Sequence, residues 1–136
     1  MRILLVDDDV ELANVMATVL RRDGHDVATA NDGSAALAIA RTAKLEAVLL
    51  DLSLPDTDGF SIAHVLRDGM LAAEASIIVI TGLKSPRLDD ADEAGVDLLL
   101  NKPVASEHLC GLVEYITKRR HVRLRATTRT RCEHWG

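Results

Sequence analysis

A chain of 136 residues, 48% of them hydrophobic, is long enough for one compact domain with a core of its own. Aromatics make up only 2% (Phe60, Tyr115 and Trp135), so that core must be built from Leu, Val, Ile and Ala. The net charge of −5 hides a division: residues 1–117 sum to −11 and residues 118–136 to +6, which argues against nonspecific nucleic-acid binding by the acidic body.

The chain opens on the apolar run Ile3-Leu4-Leu5-Val6, the centre of a strand expected over Arg2–Val6, followed by Asp7-Asp8-Asp9. So short a run before three acids is no signal peptide, and no run elsewhere approaches the length of a membrane span. A cytoplasmic location is therefore expected. Next comes a helix over Val10–Arg22, with Leu12, Ala13, Met16, Val19 and Leu20 as its apolar stripe. A second strand is expected at Asp26–Ala30 and a helix at 34–42. The third strand, Ala47–Asp51, closes on a carboxylate, which is costly to desolvate unless it is paired, metal-bound or chemically used. A helix at 60–68 leads to a fourth strand, Ser76–Thr81, and then to a helix at 88–94. A fifth strand at 97–101 precedes a last helix at 106–119, whose Leu109, Leu112, Val113 and Ile116 make the clearest amphipathic stripe.

Gly24, Asp32-Gly33, Asp58-Gly59 and Gly95 punctuate these elements. Asp9 reads as a helix N-cap, and Asp56 and Asp58 as turn acids before the third helix. Five βα units in succession mean an α/β, doubly wound fold with an open parallel sheet and helices on both faces. Its ligand site lies beyond the carboxyl ends of the strands, where the strand order reverses. Asp7, Asp8, Asp51, Thr81 and Lys102 all fall there. Clustered carboxylates call for a cation, and a cation beside an anionic nucleophile suggests phosphoryl chemistry. Neither Cys110 and Cys132 nor the five histidines show ligand spacing, and two cysteines make no disulfide framework.

The motifs Ile3-Leu4-Leu5-Val6-Asp7-Asp8-Asp9, Leu50 to Gly59, Ile80-Thr81-Gly82, Ala94-Gly95-Val96-Asp97 and Lys102-Pro103 stand in an order and spacing that resemble the receiver domain of two-component response regulators, the CheY-like superfamily. The resemblance covers roughly residues 1–118 and implies a flavodoxin-like (βα)5 sandwich with strand order 2-1-3-4-5. It implies that Asp51 accepts a phosphoryl group from the phosphohistidine of a sensor histidine kinase or phosphotransfer protein, with Thr81 and Lys102 contacting phosphoryl oxygens. Mg2+ would be held by Asp8, Asp51 and the backbone carbonyl of Ser53, with Asp7 acting partly through water. Pro103 would carry a cis bond that aims Lys102 inward. Such a protein is a signalling receiver that catalyses only its own phosphorylation and dephosphorylation, and it switches the binding of a downstream protein that the sequence does not name. Leu99 stands where many receivers carry an aromatic, Val104 replaces a common Phe or Tyr, and residues 83–94 are poor in apolar residues. A pseudo-receiver, working as a phosphorylation-independent interaction module, is therefore the alternative. Residues 119–136 read as a basic, disordered tail, with anion binding by that tail as a further alternative. About 18 residues after the last helix are too few for a helix-turn-helix module, so no DNA-binding domain is expected. The oligomeric state is open.

Overall fold

The computed structural model describes residues 1–69, 74–82, 95–102, 105, 107–116 and 118. Within them the order is β1 (Arg2–Val6), α1 (Val10–Arg22), β2 (Asp26–Ala30), α2 (Gly33–Thr42), β3 (Ala47–Asp51), α3 (Gly59–Asp68), β4 (Ser76–Thr81) and β5 (Leu98–Asn101). All strand pairs are parallel, in the order β2-β1-β3-β4-β5. The doubly wound sheet expected from the βα alternation is therefore present. Its order reverses between β1 and β3, and Asp7 and Asp51 stand on either side of that switch point.

The continuous apolar runs are explained by burial on both faces: every residue of β3 is buried, and all of β4 after Ser76. Leu4, Val6, Val48, Leu50, Ile77 and Val79 point to one face, where Ala36 and Ala40 of α2 and Ile62, Ala63 and Leu66 of α3 cover them. Residues of the opposite parity, including Leu5, Leu49 and Ile80, look toward Met16 of α1. Each fully buried Leu or Ile contributes about 1.5–3 kcal/mol.

The buried face of α1 is Ala13, Met16, Ala17 and Leu20. The expected stripe was rotated slightly: Leu12 is 36% exposed and Val19 only partly buried, because the small Ala13 and Ala17, one turn apart, let the helix lie close on β1 and β2. The caps explain why α2 and α3 begin one residue earlier than expected. Asp32 accepts from the Ala35 amide and Asp58 from the Ser61 amide, so helical geometry starts at Gly33 and Gly59. Asp9 caps α1 in the same way, as expected. Conversely, β5 starts at Leu98 rather than Asp97, whose carboxylate is engaged by Arg67 and by the Ile77 amide.

Two compact units divide the chain, Met1–Val104 and Ala105–Gly136. In the second, residues 107–116 are helical, and Leu109, Val113 and Ile116 of the expected stripe are buried. The expected helix at 88–94, the Lys102–Pro103 geometry, Val104 and the tail 119–136 lie outside the described residues. Among the described residues, no helix is long and apolar enough to cross a membrane.

Candidate functional site

Three buried polar side chains interrupt the aliphatic core among the described residues, and all three lie at the carboxyl edge of the sheet: Asp7, Asp51 and Thr81. Parity puts Asp7 and Asp51 on the same face as Leu5 and Leu49, so the two carboxylates converge across the β1–β3 pair. Asp8, on the exposed turn after β1, brings a third. Ligand oxygens from Asp7, Asp8 and Asp51 all lie within 4.8 Å of one another.

Among the described residues, one cation answers them. The Lys102 ammonium is 3.2 Å from Asp51 Oδ2 and 3.4 Å from Asp7 Oδ2, and the Lys102 amide donates to the Thr81 carbonyl at 2.7 Å. That backbone bond ties the end of β5 to the end of β4 and so delivers the lysine to the cluster. Thr81 sits one residue beyond Ile80, the partner of Asp51 across the β3–β4 pair. Leu99 is partly buried against the hydrophobic core on the α2–α3 face.

A cavity of about 150 Å³ adjoins the cluster, with Leu5, Leu49, Ile80 and Met16 in its wall and Asp7, Asp51 and Lys102 as its polar lining. These mostly apolar surroundings explain why burial raises the pKa of Asp51 above the ordinary carboxylate value, against the hydrogen bonds from Lys102 and the Ser53 amide. For Lys102, burial works downward, but the hydrogen bond and charge of Asp51, with Asp7 behind it, outweigh that and raise its pKa. The ammonium is therefore held charged beside carboxylates it only partly neutralises.

The backbone at Asp51 is fixed from below. The Gly59 amide donates to the Leu52 carbonyl at 2.7 Å, and a Cβ on Gly59 would stand 2.6 Å from the Asp51 carbonyl oxygen and 2.9 Å from Leu52 Cα. Only glycine allows that approach. The Leu54 amide closes the intervening turn on the Thr57 carbonyl, and Ser53 bridges to Asp58. The turn thus presents Ser53 directly beyond Asp51.

The arrangement brings together every residue singled out from the sequence: Asp7, Asp8, Asp51, Ser53, Thr81 and Lys102. Two contributors were not anticipated. Asn31, after β2, donates to the Asp7 carbonyl at 3.0 Å. Asp56, expected to be a plain turn acid, instead accepts from the Gly33 and Ser34 amides at 2.8 and 3.0 Å, and these bonds hold its pKa below the usual carboxylate value. Neither contact has a local pattern, since each joins residues more than 20 positions apart.

Comparison with known proteins shows the family. The response regulator receiver domain family matches residues 3–114. The chain belongs to that family. It is 37% identical over 119 residues to the DNA-binding response regulator MtrA of Mycobacterium tuberculosis, an alignment covering 82% of this chain and 48% of that protein. Among solved structures it is similar to a CheY-like receiver domain protein from Methanospirillum hungatei, with a TM-score of 0.80, 26% identity, and 91% and 96% of the two chains covered. It is also similar to the BeF3-activated receiver domain of DrrB from Thermotoga maritima, with a TM-score of 0.75, 27% identity, and 86% and 97% covered.

The receiver spans about half the length of the curated relatives it matches. That corrects the expectation that the protein lacks a DNA-binding domain, because MtrA is a DNA-binding response regulator. The expectation rested on counting residues past the last helix, and a sheet that buries its own core carries no mark of what is joined to it. Receivers of this family act as phosphoacceptors in two-component signalling, and they generally bind Mg2+ at an acidic cluster.

Proposed function

We propose that Asp51 is the phosphoacceptor and that Asp7, Asp8, Asp51 and the Ser53 carbonyl hold Mg2+. The observation that carries this is the convergence of three carboxylates and the Lys102 ammonium at the switch point of the sheet. The donor set is all hard oxygen, which suits Mg2+ rather than a softer metal. When bound, the ion would supply charge neutralisation on the transferring oxygens.

The residues do the rest. An Asp51 carboxylate oxygen attacks phosphorus, the acyl-phosphate bond forms, and the bond to the donor breaks with its electron pair leaving on the donor nitrogen. Lys102 already touches the attacking carboxylate and follows the charge onto the phosphoryl oxygens. The Thr81 hydroxyl donates to another of those oxygens. Apolar walls around Asp51 limit the water that would hydrolyse the product. A sensor histidine kinase or phosphotransfer protein is the proposed donor, the cytoplasm the proposed location, and residues 1–118 the proposed extent of the receiver, with 119–136 a basic tail. Partner switching follows because the Thr81 hydroxyl gains its phosphoryl partner only in the modified state.

Incubation with a small phosphodonor and Mg2+ tests this. The expected result is one base-labile phosphoryl group per chain, absent in Asp51→Asn and absent after chelation of Mg2+. An adduct that persists in Asp51→Asn contradicts the assignment, and no adduct in the wild type favours the pseudo-receiver.

A further inference from the structure

The short connection from β2 to α2, together with the first two residues of α2 (residues 31–34), touches both loops that carry the proposed metal ligands. On one side it grips the turn after β1. The Asp7 amide donates to the Ala30 carbonyl at 3.0 Å, and Asn31 Nδ2 donates to the Asp7 carbonyl at 3.0 Å, so both peptide groups of Asp7 are held by the end of β2. Because a carbonyl only accepts, this contact also sets which way the Asn31 amide faces. The Asp9 amide then folds back on Asp7 Oδ1 at 2.9 Å, fixing that carboxylate.

On the other side it grips the turn after β3. Asp56 Oδ1 accepts from the Gly33 amide at 2.8 Å and Asp56 Oδ2 from the Ser34 amide at 3.0 Å, with the Ser34 hydroxyl at 3.3 Å. These are the first two amides of α2, which no helical carbonyl can satisfy, and a carboxylate there also meets the positive end of the helix. Asp32 already takes the Ala35 amide, so Asp56 completes the cap from a distant loop. The approach is close: a Cβ on Gly33 would stand 2.6 Å from Thr57 Cγ2 and 3.1 Å from Asp56 Oδ1.

We infer that Asn31 and Asp56 are positioning residues for the cation site, through which the β2–α2 connection sets the spacing between the Asp7–Asp8 turn and the Asp51–Ser53 turn. The inference rests on the proposed assignment of those turns as the Mg2+ ligands. Groups that hold ligands in this way typically change metal affinity by about 10–100-fold when removed. Asn31 acts on the β1 turn and Asp56 on the β3 turn, so their effects should multiply.

The test uses the full chain with Mg2+ alone, read by calorimetric titration below the melting transition, and the labelling rate with a small phosphodonor across a Mg2+ series. Asn31→Ala and Asp56→Ala are each expected to weaken Mg2+ binding by about tenfold. Their labelling should recover toward the wild-type rate at saturating Mg2+, a separation that simple loss of stability does not produce. Asp56→Asn keeps the shape and one acceptor oxygen, so it should fall between wild type and Asp56→Ala, and it carries the test if the alanine variant does not fold. Without Mg2+, the Gly33 and Ser34 amides should exchange faster in both Asp56 variants. A wild type that binds Mg2+ and labels, with variants binding Mg2+ within about twofold of it, overturns the inference alone. A wild type that neither binds Mg2+ nor labels overturns the assignment of Asp51 and this inference together.

Discussion

At the amino end of the sheet Arg67 of α3 donates to the carbonyls of Ala75 and Gly95 and pairs with Asp97 at 2.7 Å, while Asp97 also accepts from the Ile77 amide. At the carboxyl end Lys102 faces two buried carboxylates and a third nearby. Among the described residues, the first group pairs one arginine with one carboxylate and gives the two carbonyls a donor. The second carries more negative charge than its one lysine offsets. Both ends join neighbouring elements, but among the described residues the second sets three carboxylates against one lysine. Pairing of the first kind fastens neighbouring elements, whereas an excess of carboxylates beside a cavity suits the cation and phosphoryl group proposed above.

The largest effect expected of this contrast is on stability at the amino end. Arg67→Ala should lower the unfolding free energy by about 2–4 kcal/mol in urea denaturation, because it strands two carbonyls and a carboxylate. The labelling rate of the folded protein should stay within about twofold of wild type, the sites being at opposite ends of the strands. A matching loss of labelling would break the separation. At the carboxyl end the expectation reverses. Lys102→Ala should slow labelling by about tenfold or more through loss of a charged contact to the reacting oxygens, a larger change than in its urea midpoint.

Mg2+ sharpens the same contrast. Millimolar Mg2+ should raise the wild-type melting temperature by several degrees, and Arg67→Ala should show the same increment from its lower starting point. An unchanged melting temperature across the titration would count against the carboxyl-end site. The smallest effect is the pH dependence contributed by Asp56. Its folded-state pKa is depressed below 3.8 by the Gly33 and Ser34 amides. Its contribution to stability is therefore present above about pH 4 and is lost as the pH falls through the folded-state value. The melting temperatures of wild type and Asp56→Asn should accordingly draw together as the pH is lowered from 6 to below about 4. A constant gap over that range would mean that the carboxylate charge at Asp56 is immaterial.

The strands were legible because two-sided burial leaves an unbroken mark, as in Ala47–Asp51, and because caps such as Asp9 sit next to what they cap. The proposed site residues could be picked out because each lies at or just after the end of a strand, and a parallel sheet gathers those ends at one edge. What the sequence did not disclose was long-range. Asp56 looked like a local turn acid because its partners lie on α2, and Asn31 and Arg67 had no periodic signature. Leu12 was placed inward by helical spacing alone, which could not see that Ala13 and Ala17 would draw the helix in along another line. The DNA-binding relatives were hidden for a different reason: a receiver's core is complete within itself.

The proposed phosphoryl transfer forms a covalent bond at Asp51. Reduction of the phosphorylated protein with borohydride converts an aspartyl phosphate to homoserine, and peptide mass mapping locates it. The result predicted is homoserine at position 51 alone, dependent on both phosphodonor and Mg2+. Homoserine at position 7 or 8, or none anywhere in protein that has taken up phosphate, would contradict it.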